Sequence, residues 1–218
     1  PTANPTSVPT SPPTAPPTAL PTPVPTPLPT APPTAPSTPP PTNGDTPGPQ
    51  GALFDSEFGV PRCANTGSEC DSLNLLNGRG TLTSGEEPNY SNTNKKGAAC
   101  VDGSSGAYQS DESIEQITVT AGDIVSGSPV PSGDFIVEGS RAFVTVNLWC
   151  WNTGSSDTAD IYITSDASSP DWQPLASIAC PGGGAQTITH AFDVPSGANQ
   201  SIRVNLRYNG SPSTCSNG

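Results

Sequence analysis

Apolar and polar residues alternate in short runs through the second half of the chain, and each run ends in a cluster of Gly, Ser, Asn or Pro. The clearest are IEQITV (114–119), AFVTVNLWCW (142–151), ADIYITSD (159–166), TITHAFDV (187–194) and SIRVNLRY (201–208). A period of two belongs to a half-buried strand, whose successive side chains point to opposite faces. In AFVTVNLWCW the alternation puts Val144, Val146, Leu148 and Cys150 on one face. Phe143, Thr145, Asn147, Trp149 and Trp151 take the other. No segment sustains a helical period. Short strands at this spacing, separated by turn residues, predict an all-β domain: a disulfide-stapled β-sandwich, jelly-roll-like in type.

The first 42 residues follow a different rule. Set in fours they read PTAN PTSV PTSP PTAP PTAL PTPV PTPL PTAP PTAP STPP PT. Thr fills the second place of all eleven blocks, counting the partial last one, and Pro fills the first place of all but one, where Ser37 stands. The stretch holds 18 of the 29 prolines and no charged residue. Pro fixes φ and disfavours the helical region for the residue before it, so a chain this dense in Pro adopts extended polyproline II. At about 3.1 Å per residue, a straight rod of this length reaches roughly 130 Å. A repeat of four on a helix of three residues per turn rotates each Thr by one third of a turn from the last. The hydroxyls therefore spiral around every side, and no face is left to pack a core. A passive, mucin-like Pro/Thr spacer is the plainer alternative. A spacer, however, needs stiffness and hydrophilicity but no count, and Val8, Leu20, Val24 and Leu28 recur at the same place in the block.

This segment resembles the hydroxyproline-rich glycoproteins of algal and plant cell walls, and the tetrapeptide-repeat stems of extracellular glycofibrils. The resemblance covers residues 1–42. It implies O-glycans on Thr2, Thr6, Thr10, Thr14, Thr18, Thr22, Thr26, Thr30, Thr34, Thr38 and Thr42. It also implies hydroxylation of Pro5, Pro9, Pro13, Pro17, Pro21, Pro25, Pro29 and Pro33.

Composition divides the chain into a stem (1–42), a turn-rich linker (43–53, containing NGDTPGPQG) and one domain (54–218). All 19 acidic residues and the whole net charge of −12 lie after residue 42. That balance argues against nucleic acid and anionic membrane as partners. No apolar run approaches the ~20 residues needed to span a bilayer. The chain opens on Pro with no leader visible, so processing or further upstream sequence is expected. Cysteines stand at 63, 70, 100, 150, 180 and 215. An even count in a Gly/Ser/Thr-rich domain predicts three disulfides and a secreted, extracellular or cell-surface protein. Fifteen pairings are open to six cysteines. Cys63–Cys70 would staple one loop, and Cys150–Cys180 would join a strand to the end of LASIAC, leaving Cys100–Cys215. Sequons for N-glycosylation occur at Asn89, Asn199 and Asn209, the last weakened by Pro212.

The domain resembles a family of secreted β-sandwich modules found at the C-termini of extracellular peptidases and surface proteins of bacteria and algae. The residues that carry this are FGVPRC (58–63), LLNGRGTL (75–82), EPN (87–89), SDESIEQITV (110–119), the Trp149/Trp151 strand, PGGGAQTIT (181–189) and SIRVNLRYNGSPSTCSNG (201–218). The resemblance implies an accessory module without catalysis. It further implies an acidic, apolar-ending strand after the last cysteine, where this sequence reaches Gly218: either more sequence follows or a sheet edge is open to another strand.

Candidate chemistry is sparse. His190 is the single histidine, placed in an alternating strand, and reads as structural. GxSxG, HExxH and P-loop motifs are absent from the sequence, and GGG (182–184) reads as a turn. Cysteines without histidine at metal spacing read as disulfides and not as a zinc site. Of the paired carboxylates, Glu86-Glu87 and Asp111-Glu112, the plain reading is solvated loops. The sharper one is a structural calcium held by Asp102, Asp111 and Glu112, because hard cations take loop carboxylates and carbonyls. No cofactor is required beyond that candidate ion and covalent glycans. Trp149, Trp151, Trp172 and Tyr162 offer rings either to a core or to a sugar. Two readings of the whole follow. One is a structural glycoprotein whose partners are copies of itself or other fibril and cell-wall glycoproteins and glycans. The other is a carbohydrate- or calcium-binding module on a glycosylated spacer.

Overall fold

The strand that alternates most cleanly buries one whole face. Val144, Val146, Leu148 and Cys150 are all within 1% of full burial, on the face that the alternation assigns to them. They belong to β7 (Arg141–Cys150). The computed structural model describes residues 48–64, 67–76 and 108–214. The stem threonines and prolines, Asn89, Glu86, Glu87, Asp102, Cys100 and Cys215 lie outside the described residues.

Before β7 come β1 (Pro49–Gly51), β2 (Leu53–Asp55), β3 (Val60–Arg62), β4 (Glu69–Asp71), a single 3-10 turn (Leu73–Leu76), β5 (Ser113–Val125) and β6 (Ser128–Pro131). After it come β8 (Asp157–Thr164), β9 (Gln173–Ala179), β10 (Gly184–Asp193) and β11 (Ser201–Tyr208). The larger sheet runs β1-β4-β5-β7-β10, with β6 folded back on the far end of β5. It is mixed, because β1 and β4 pair in parallel. The smaller sheet runs β11-β8-β9, and β2 and β3 form a separate hairpin. Ala159, Ile161 and Ile163 of β8 meet the buried face of β7 in one core, which Ile188 and Phe192 of β10 complete. Each such aliphatic side chain contributes about 1.5–3 kcal/mol by leaving water.

The expected strands are present, with β9 covering the stretch before Cys180. Four further strands, β1 to β4, and the short β6 carry no readable alternation. At three or four residues they are too short to show a period and are held by backbone pairing. Residues 49–51, read from composition as part of a linker, pair with β4 in this way.

The other departure concerns β8. Alternation predicts one exposed face, yet Asp160, Tyr162 and Thr164 are buried along with their neighbours. The residues after β11 explain this. Arg207 donates to the carbonyls of Asn209 (2.9 Å) and Gly210 (2.7 Å), Asn205 to that of Ser213 (3.1 Å) and Arg203 to that of Thr214 (3.0 Å). Arg203, Asn205 and Arg207 alternate on the outward face of β11, so residues 209–214 run back across that face. Their cover extends to β8, which is paired alongside.

Two disulfides tie this frame. Cys63 and Cys70 close the loop between β3 and β4, with Cα atoms 5.9 Å apart. Cys150, the last residue of β7, joins Cys180, the first residue after β9, with Cα atoms 6.4 Å apart. This second bond links the two sheets. Among the described residues, no helix is long and apolar enough to cross a membrane.

Candidate functional site

Strand register gathers several termini beside the Cys150–Cys180 bond. Ser113 at the start of β5 pairs with Trp149, and Gly184 at the start of β10 pairs with Cys150. In the other sheet Asp157 opens β8 opposite Tyr208, the last residue of β11. Asp157, Glu112, Trp151, Tyr208 and the disulfide therefore share one end of the two-sheet core. Two turns close there by direct backbone contact, which explains the run of glycines. A Cβ on Gly183 would lie 1.6 Å from the Asn152 carbonyl oxygen. One on Gly154, at φ +71, would lie 2.2 Å from that of Gly182.

Asp157 is 1% exposed. Its Oδ2 accepts one hydrogen bond, from the Trp151 backbone N–H at 2.6 Å. Its Oδ1 is buried and has no hydrogen-bond partner. Glu112, one residue before β5, faces it, and the Glu112 Oε1 is likewise buried and unpartnered. The Glu112 carboxyl is pushed up to about 8, first by loss of solvation. Hydrogen bonding and repulsion from Asp111 add to this, as does hydrogen bonding to Asp157, while the residue's own backbone N–H opposes it. Glu112 thus stands between two other carboxyl groups. The turn that presents it is anchored next door: the Tyr108 hydroxyl donates to Glu115, and Ser113 Oγ donates to Glu115 Oε1 at 2.8 Å.

Of the residues expected to bind calcium, the structure places Glu112 beside Asp111 and Asp157 without bringing the three carboxylates within 4.8 Å of one another, and Asp102 lies outside the described residues. Asp157 was not singled out by the sequence. A carboxylate oxygen of Asp157 and the sulfurs of Cys150 and Cys180 lie within 4.8 Å of one another. Those sulfurs are bonded to each other, however, and a disulfide offers no thiolate to a soft metal. The chemistry open to the cluster is the sharing of a proton or the binding of a hard, oxygen-seeking cation.

The aromatic candidates separate. Trp151 (41% exposed) meets Tyr208 (54% exposed) edge to face, with ring centroids 5.6 Å apart. Nothing in the local pattern signals Tyr208, because the pair forms only through the pairing of β8 with β11. Trp149 is half-buried on the outer face of the larger sheet. Trp172 has its ring covered by the Arg203 guanidinium, 4.2 Å from the centroid. Tyr162 is buried beneath the returning 209–214 segment, and desolvation raises its phenol pKa. Of the two roles open to its ring, Tyr162 therefore takes the buried one, as a covered residue of the smaller sheet.

His190 sits mid-strand on β10, half-buried and opposite Val144, away from the acidic cluster. Asn199 is half-buried, and its Oδ1 accepts a hydrogen bond from Arg62 at 3.1 Å. Asn209 is exposed at the end of β11. At the opposite end of the larger sheet, an open groove along β5 and β6 is lined by Asp123, Asp134 and the exposed Arg141, which pairs with Asp123 and Asp193. Comparison of the chain with known protein families, with curated proteins and with solved structures returned no match.

Proposed function

We propose that this chain is a structural extracellular glycoprotein. Its stem is a polyproline II rod sheathed in glycans, and its β domain is a jelly-roll-like sandwich that serves as a cap or contact in a fibril, appendage or wall. Neither part catalyses a reaction. The observation that carries this reading is the four-residue register of residues 1–42, which keeps a Thr in the second place of every block and a Pro in the first place of all but one. Acceptors four residues apart stand about 12 Å apart along the axis, so neighbouring glycans touch. Sugar–sugar contacts then do what a protein core does elsewhere. The domain is consistent with this role: two disulfides staple it, and the β8–β9 hairpin is nested between the paired β7 and β10. That nesting is what supports the jelly-roll-like reading. Partners are further copies of the chain or other wall glycoproteins and glycans.

Glycopeptide mass spectrometry of residues 1–42 from the native source tests the proposal. Hydroxyproline and O-glycans in most of the blocks support it, and sparse modification without hydroxyproline overturns it.

The exposed Trp151–Tyr208 pair favours a second reading, in which the domain binds polysaccharide and the stem spaces it from a surface. Binding of the full chain to a polysaccharide array, lost in Trp151→Ala, supports that role. An array with no bound sugar eliminates it.

A further inference from the structure

We propose that Glu112 and Asp157, with Asp111 beside them, bind one calcium ion at the disulfide end of the β domain. Asp157 is only 1% exposed, yet a single backbone N–H donates to its carboxylate. Burying a carboxylate without full pairing costs several kcal/mol. The nearest ionisable group makes matters worse, because Glu112 adds a second carboxyl and Asp111 a third. The described arginines are engaged elsewhere: Arg62 with Asp55, Arg141 with Asp123 and Asp193, Arg203 over Trp172, and Arg207 with Asp160.

Two agents can neutralise such a group. A proton held between Glu112 and Asp157 engages one oxygen of each but cancels only one charge among three carboxyls. A divalent cation cancels two charges and engages both orphaned oxygens at once. The donors are carboxylate oxygens alone, with no imidazole and no thiolate, which selects a hard ion over zinc or copper. They come from a turn and a strand end, a pliant set that suits calcium better than the rigid octahedron of magnesium. Once bound, the ion would pin the turn before β5 to the start of β8, next to the bond that joins the sheets. Asp157 accepts the Trp151 N–H, so the ion also fixes the backbone that carries the exposed Trp151–Tyr208 pair. None of this depends on whether the stem is glycosylated.

Terbium luminescence on the full, disulfide-intact chain tests the proposal, since a lanthanide in this site lies beside Trp151 and is sensitised through it. After chelator treatment and dialysis, tryptophan excitation should give terbium emission that calcium displaces, with an affinity on the order of 0.1–1 mM for calcium, as in extracellular modules. Asp157→Asn and Glu112→Gln should each weaken terbium binding at least about tenfold, because each removes a charged ligand. Asp123→Asn, at the other end of the sheet, should bind as wild type. Circular dichroism in chelator establishes that both site variants are folded. Absent emission overturns the site, as does affinity within twofold of wild type in either folded site variant. If one site variant fails to fold, the other alone decides the matter by the same threshold.

Discussion

Asp157 and Asp160 stand three residues apart on β8, and each is 1% exposed. Their surroundings could hardly differ more. Asp160 faces outward beneath the returning 209–214 segment, where Arg207 pairs with Oδ2 at 2.7 Å and Ser177 donates to Oδ1 at 2.6 Å. Asp157 faces the disulfide end with one oxygen bonded and the other bare, and a second carboxyl looks at it. One strand thus holds a buried charge that the protein compensates from its own side chains and another that it leaves open. The difference separates a structural ion pair from a candidate binding site. Burial alone does not distinguish them; the inventory of donors does.

The sharpest way to break the comparison is to remove the compensation from Asp160. Arg207→Met should lower stability by about 3–5 kcal/mol, the usual penalty for stranding one member of a buried pair. Urea denaturation measures it, and a loss under 1 kcal/mol would mean that water reaches Asp160 after all. Next in size is the bond beside Asp157. Replacing Cys150 and Cys180 together by Ala opens a link across 30 residues, worth about 3–4 kcal/mol on the chain-entropy account. Non-reducing peptide mapping with urea denaturation checks this, and an unchanged midpoint would deny the bond its role in joining the sheets.

The two aspartates should then diverge under the same substitution. Asp160→Asn should cost about 1–3 kcal/mol, because Arg207 loses a charged acceptor while largely buried. In chelator, Asp157→Asn should be neutral or mildly stabilising, because it deletes a buried charge that no described cation pairs, while the amide oxygen can still accept the Trp151 N–H. Parallel thermal melts decide this, and equal losses would erase the distinction. The smallest effect is a slope. In chelated protein Glu112 holds its proton up to about 8, against 4.5 for the ordinary group. The folded state therefore binds that proton more tightly than the unfolded chain does. The resulting stability is fully present below about 4.5 and is lost as pH rises through about 8. Urea midpoints measured across that window should fall for the stripped wild type and flatten for Glu112→Gln.

What the sequence disclosed, and what it withheld, follows the reach of each interaction. The buried face of β7 was legible because alternation is local to a strand. The Cys63–Cys70 and Cys150–Cys180 pairs were legible as preferences, from loop spacing in one case and strand placement in the other. Asp111 and Glu112 stood out as adjacent carboxyls. Asp157 did not, because it meets Glu112 only after two sheets have packed, and no period or spacing joins positions so far apart. The same holds for Tyr208 beside Trp151. Burial of Asp160 and Tyr162 contradicted the alternation on β8, because segment 209–214 covers a face that a sheet of this width would otherwise leave wet.

The most direct measurement is anomalous diffraction from crystals of the full chain grown with calcium and then exchanged for a lanthanide. A single peak near Glu112 and Asp157, with ligand oxygens at about 2.3–2.6 Å and nothing at Asp160, is the predicted result. An empty position with the two carboxyl groups at hydrogen-bonding distance from each other would contradict the account and assign the cluster to a shared proton.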